Sequence, residues 1–188
     1  GVSDDGLGAD LFLDPEIRER VVHEMKREGE GEWVSLAPGA GRATKRWPPE
    51  RFAGLGRRFA EQGWRVAVLG GTPDAALCGR IADEIGKRAR SFAGAELQET
   101  ASLLSVSRLL VTNDTGVMHM GAALNCRIVA LFGPTTRHFG FAPFRTASRV
   151  MERPLKCRPC SFHGTDQCPR THFRCMNEIE PETVFDAA

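Results

Sequence analysis

What this sequence lacks narrows its function before any motif is read. None of its apolar runs approaches the roughly 20 residues of a membrane-spanning helix. It carries no excess of either charge: the net charge is +1 over 188 residues, which gives no global reason to expect a nucleic-acid partner or an acidic surface. The opening stretch GVSDDGLGADLF is polar and glycine-rich, starts without Met and has no basic-then-apolar signal pattern. Residues 1–14 therefore read as a linker or the edge of a longer chain, with a cytoplasmic location as the default. There is no internal repeat, no low-complexity tract, no Walker sequence and no complete dinucleotide fingerprint.

What is present suffices for one well-buried core, since 41% of the residues are apolar. Asp14 followed by Pro15 opens a helix with Ile17, Val21, Val22 and Met25 on one face, and Gly29 or Gly31 ends it. Strands EWVSLAP, WRVAVLGG, RLLVTN and CRIVALFG alternate with helices PPERFAGLGRRFAEQG, TPDAALCGRIADEIGKR, LQETASLLSVS and TGVMHMGAALN. The strands are continuous apolar runs, the pattern of a parallel sheet covered on both faces. The expected fold is α/β and Rossmann-like over residues 15–150. Residues 151–188 form a Cys-rich loop and a last helix, EPETVFDAA, belonging to the same domain.

In such sheets ligands bind beyond the carboxyl ends of the strands. The loops expected there are PGAGRATKR, GGTPD, NDTG and GPTTRHFG. The first offers Gly39 and Gly41, which let backbone amides approach a ligand, and the cations Arg42, Lys45 and Arg46. Lys45 lies in a loop, off any apolar face. In the third, a helix begins near Gly116 with Asp114 or Thr115 as its cap; its free amides suit an anion, and His119 lies one turn in, looking back at the loop. A solvated basic loop and a capped helix with a satisfied His produce the same segments when each is taken alone.

Taken in order, SLAPGAGRATKRWPPERFAGL, VAVLGGTPD, VTNDTGVMHMGAAL and VALFGPT resemble the C-terminal half of the bacterial ADP-heptose:lipopolysaccharide heptosyltransferases, over about Trp33 to Thr136. The Cys-rich tail resembles members that add the second heptose. The resemblance implies a GT-B glycosyltransferase with two Rossmann-like domains facing across a cleft. In that arrangement the C-terminal domain holds ADP-heptose, and the N-terminal one holds the lipopolysaccharide core acceptor and supplies the catalytic base. This chain would then be the donor-binding domain, without a catalytic carboxylate of its own and inactive in isolation. Lys45, in TKRWP, matches the lysine that contacts donor phosphate. Asp114, Thr115, Gly116 and His119 match the segment around the diphosphate and heptose. Asp74 falls near a position where some members carry an acidic residue toward the adenosine ribose. The resemblance implies inversion by direct displacement, no cofactor and no metal, and possible peripheral association with the cytoplasmic face of the inner membrane.

Of the six cysteines, Cys78 and Cys126 sit in apolar patterns and read as buried thiols. Cys157, Cys160, Cys168 and Cys175 have the spacing C-x2-C-x7-C-x6-C, with His163 and His172 nearby. Zinc or an iron–sulfur cluster is one reading; reduced or partly oxidised thiols in a compact loop are the expected one. Two other functions remain open at this point: a stand-alone nucleotide-binding or metal- and redox-sensing module, and a nucleotide-sugar epimerase. The latter would want more carboxylates on the rim.

Overall fold

The computed structural model describes residues 6–188; residues 1–5 of the expected N-terminal linker lie outside it. Helix α1 (Pro15–Arg27) starts as its sequence dictates: the Asp14 carboxylate accepts the Glu16 and Ile17 amides, with Pro15 at the first position. Strand β1 (Trp33–Ala37), helix α2 (Pro49–Glu61), strand β2 (Arg65–Val68) and helix α3 (Ala75–Ile85) follow. Next come β3 (Ala89–Ser91), α4 (Leu97–Val106), β4 (Ser107–Asn113), α5 (Gly116–Ala123) and β5 (Ile128–Phe132). The chain ends with β6 (Ser148–Glu152), the short α6 (Arg174–Asn177) and α7 (Pro181–Asp186).

The six strands form one sheet in the order β3-β2-β1-β4-β5-β6, and every neighbouring pair is parallel. Strand pleating divides the core in two. Val34, Leu36, Val66, Val68, Val111 and Leu131 face α2, α3 and the tail, where Phe52, Phe59, Ile81, Met176 and Val184 cover them. Trp33, Ala67, Leu69, Leu110, Ile128 and Phe132 face α1, α4 and α5, packed by Val21, Met25, Leu103, Leu104 and Met118. The tail thus closes over one face of the sheet, and Phe185 meets Phe59 with ring centroids 4.9 Å apart.

Two strands, β3 and β6, are absent from the sequence reading. Both lie at the sheet's edges and neither is buried throughout, so ARS and SRVME never show the continuous apolar run that marks the central strands. Strand β6 also spans residue 150, where the Rossmann-like region was expected to end. Among the described residues no helix is long and apolar enough to cross a membrane.

Helix α5 lies close to the sheet at Gly121, where a Cβ would sit 2.7 Å from Leu110 Cδ2 and 3.4 Å from Ile128 Cδ1. Both neighbours are fully buried and have no room to move. Gly121→Val is therefore expected to overpack this contact and destabilise the fold by about 1–3 kcal/mol, read as a lowered midpoint in urea unfolding.

Candidate functional site

The strand order reverses direction between β1 and β4, which pair directly. At such a switch point the loops leaving the two strands diverge and open a crevice. Pro38 and Gly39 leave β1 here and Asn113 ends β4. The fully buried Asn113 side chain ties the two exits together. Its Nδ2 donates to Pro38 O at 2.8 Å and Gly39 O at 3.4 Å, and its Oδ1 accepts the Trp47 amide at 3.1 Å.

Beyond Asn113, the Asp114 carboxylate turns toward the loop after β1. Its Oδ2 lies 2.8 Å from Lys45 Nζ, and the two side chains keep only 5% and 15% of their exposure. The same oxygen accepts the Thr135 hydroxyl at 2.8 Å. Lys45 closes a 3-10 turn, Ala43–Lys45. The lysine lies in the loop after β1, as expected, and there it is a largely buried cation held by a more buried anion. The expectation that Asp114 or Thr115 caps α5 is corrected. Thr115 occupies the N-cap position in extended backbone but makes no side-chain cap bond, and Asp114 is committed to Lys45 and Thr135. Among the described residues, Thr115 Oγ1 is buried without a hydrogen-bond partner. A buried hydroxyl beside the unpaired first amides of a helix is an arrangement that an anionic ligand completes.

Asp74 joins the rim from the β2 side. Gly39 passes so close that a Cβ there would lie 2.3 Å from Asp74 Oδ2, which is why glycine stands at that position. Asp74 Oδ1 is 3.7 Å from Arg46, whose guanidinium also donates to Ala40 O at 2.9 and 2.8 Å. These contacts bring Gly39, Lys45, Asp74 and Asp114, with Thr115 and Gly116 following in the chain, to one switch point at the carboxyl edge of the sheet. Arg42 turns away, 3.3 Å from Asp166 of the tail at an exposed pair. Gly41, Gly116 and His119 are all exposed. Asn113 and Thr135 were absent from the expected site residues although both lie in loops assigned to the rim; nothing in their local sequence announces which distant groups they bond.

The four tail cysteines are neighbours and free. Burial pushes the Cys160 thiol up, helped by Cys157 and Cys168, while burial and the nearby Cys160 raise Cys175 to about 11. Cys157 Sγ lies 3.7 Å from His172 Nε2. Among the described residues no group of three or more His, Cys, Asp or Glu side chains is drawn together as a metal-binding set. Cys78 and Cys126, in the core, are pushed up to about 12 by burial, with Asp74 adding to the shift at Cys78.

The sequence profile of the family described as "Glycosyltransferase family 9 (heptosyltransferase)" matches residues 10–170. "Lipooligosaccharide heptosyltransferase 2" of Haemophilus influenzae is 36% identical over 139 residues, covering 69% of this chain and 40% of the relative. The chain thus spans less than half the length of that relative. Among solved structures, "E. coli ADP-heptose lps heptosyltransferase II" superposes with a TM-score of 0.82 at 24% identity, over 99% of this chain and 54% of that one. A glycosyl transferase family 9 protein from Veillonella parvula gives 0.81 at 24%, over 98% and 53%. At these identities the two structures establish a shared fold.

Two outcomes follow from the geometry. Asn113→Ala strands the Trp47 amide and the Pro38 carbonyl, and each buried unsatisfied group costs about 1–3 kcal/mol. Its unfolding midpoint is expected to fall accordingly in denaturant titration. For the thiols, alkylation of the native protein near neutral pH is expected to mark Cys157 and Cys168 first. Cys78, Cys126 and Cys175 stay protonated and shielded there, so mass spectrometry should find them modified only after unfolding.

Proposed function

The chain belongs to glycosyltransferase family 9, and from that premise we propose that it is the donor-binding, C-terminal half of an inverting heptosyltransferase. In this reading it moves heptose from ADP-heptose to the lipopolysaccharide inner core at the cytoplasmic side of the inner membrane. The observation that carries it is the Lys45–Asp114 pair at the switch point, beside the unpartnered Thr115 hydroxyl and the start of α5.

The chemistry assigns each part a task. When the heptose anomeric carbon leaves ADP for an acceptor hydroxyl, the bond to the β-phosphate oxygen breaks and negative charge grows on that phosphate. In this reading the Lys45 ammonium and the first α5 amides meet it, and because they are held beforehand they need not reorganise as the charge develops. Asp114 holds the Lys45 ammonium in place, and Thr135 holds Asp114. The Thr115 hydroxyl gains its missing partner from a phosphate oxygen. In this reading Asp74, which lies against Gly39, is the acidic residue that meets the adenosine ribose. The acceptor and the base that takes its proton belong to the facing domain in this arrangement, and Lys45 with the helix provides the positive charge that a metal supplies in other transferases.

Calorimetry with nucleotides tests the reading. ADP is expected to bind this chain more tightly than UDP. Lys45→Met keeps the aliphatic stem and removes the charge, so ADP affinity is expected to fall about ten- to hundred-fold, the worth of one charge-assisted phosphate contact. The melting temperature falls as well, because Asp114 is left buried without its counter-charge and keeps only the Thr135 hydroxyl among the described residues. UDP binding as tight as ADP, or unchanged ADP affinity in Lys45→Met, overturns the assignment.

A further inference from the structure

Lys45 depends on a turn that cannot hold itself in place. A three-residue 3-10 turn has poor hydrogen-bond geometry of its own, and Arg42 gives it no side-chain cap. Its downstream end is fixed by Asn113 and by the buried Trp47, whose indole donates to Ile179 O at 2.9 Å. Its upstream end is fixed by a segment 121 residues away in sequence.

That segment is Ser161 to Asp166, in the middle of the Cys-rich tail. Thr44, 4% exposed, is the link. Its amide donates to Thr165 O at 3.0 Å and its hydroxyl to the same oxygen at 2.6 Å; the hydroxyl also accepts the Thr165 amide at 2.8 Å. Next to it, Gly164 lies against the lysine itself. Its φ is +83°, and a Cβ there would stand 2.8 Å from Lys45 Cγ, 3.0 Å from Cδ and 3.2 Å from Arg42 Cβ. The two lysine atoms belong to the inner stem, not its mobile end, so the glycine backbone is a wall along which Lys45 runs to Asp114.

The segment is braced at its other side by the loop after β5. The Cys160 amide donates to Pro134 O at 3.2 Å, and Arg158, itself paired with Glu152 at 2.9 Å, donates to Thr135 O at 2.9 Å and to Gly133 O. Thr135 in turn holds Asp114. The tail from Arg158 to Asp166 thus lies against the lysine through Gly164, holds its turn through Thr44, and supports the loop whose Thr135 bonds the carboxylate.

We propose that this tail segment is a strap that positions Lys45 for the donor β-phosphate, with Thr44 and Gly164 as its positioning residues. The inference rests on the donor-site reading above. Thr44 and Gly164 touch no ligand in it; they act by fixing where the ammonium stands. Their loss therefore weakens the β-phosphate contact and leaves the rest of nucleotide binding in place.

The test compares ADP with AMP by calorimetry, because only ADP offers the β-phosphate. In the unaltered chain ADP is preferred, and Lys45→Met removes most of that preference. Thr44→Val, which keeps shape but loses both hydroxyl bonds, and Gly164→Ala, which pushes on the lysine stem, are each expected to lower the ADP-over-AMP ratio about five- to ten-fold while AMP affinity holds. Thr44→Ser, which retains the hydroxyl, restores the ratio. Adding Gly164→Ala to Lys45→Met changes the ratio no further, since two changes acting on one contact do not add. If Lys45→Met lowers the ratio while Thr44→Val and Gly164→Ala leave it intact, or lower ADP and AMP affinity equally, the strap is merely structural and the inference falls. If Lys45→Met itself leaves the ratio unchanged, the donor-site reading falls first.

Discussion

The crevice is organised around a buried lysine–carboxylate pair, Lys45 with Asp114. Removing two charges from water is costly, and attraction between them repays the cost only where geometry is good and the remaining polar positions are satisfied. That demand reaches well beyond the two residues. Thr135 must come from the loop after β5 to bond the carboxylate, and Asn113 must fasten the two strand exits so that the loops bearing the charges stay in register. A pair with these requirements forms only where three loops converge, and the strand order β3-β2-β1-β4-β5-β6 provides that convergence at one point.

The buried polar groups around this point follow a rule with one informative exception. Ser35 and Ser107 bond each other at 2.7 Å, Ser107 also meets Leu103 O, and Thr112, Asn113 and Thr135 all have partners. Fully paired groups of this kind stiffen the carboxyl edge of the sheet. Thr115 breaks the pattern, with a buried hydroxyl left over at the start of α5. Buried donors are seldom wasted, and in the proposed reading a phosphate oxygen at the start of α5 supplies the missing partner. Rigidity around a single unsatisfied donor is also how a site avoids reorganising when charge develops on its ligand.

The tail serves this edge as well as the core. Met176 and Val184 cover the sheet from below, while Gly164 and Thr165 run along the rim. The four cysteines flank that rim segment, Cys157 and Cys160 before it and Cys168 and Cys175 after it. Their mutual proximity is one reason that Cys160 and Cys175 resist ionisation. A small polar loop between such thiols keeps its shape through local bonds, Ser161 to Gly164 O at 3.1 Å and Thr165 to Gln167 O at 2.7 Å.

Much of this was legible in the chain itself. Continuous apolar strands alternating with proline- and aspartate-started helices are local signals, and they specified a parallel sheet, its central strands and the loops that end at its rim. The Asp14 cap was readable for the same reason, since its partners lie two and three residues away. The edge strands β3 and β6 escaped because exposure leaves them no apolar signature. Gly39, Lys45, Asp114 and Gly116 could be assigned to the rim from their place after strand ends. What each does there was a tertiary decision. Asp114 follows a strand and precedes a helix, as a cap would, yet its carboxylate pairs with Lys45, which the fold brings to 2.8 Å from it. Gly164 reads as an ordinary turn glycine until the fold lays Lys45 against it. Contacts between residues over a hundred positions apart leave no mark in local sequence, because periodicity and capping record only what a residue meets within a turn or a strand, while the crevice is made of what distant loops meet at the edge of the sheet.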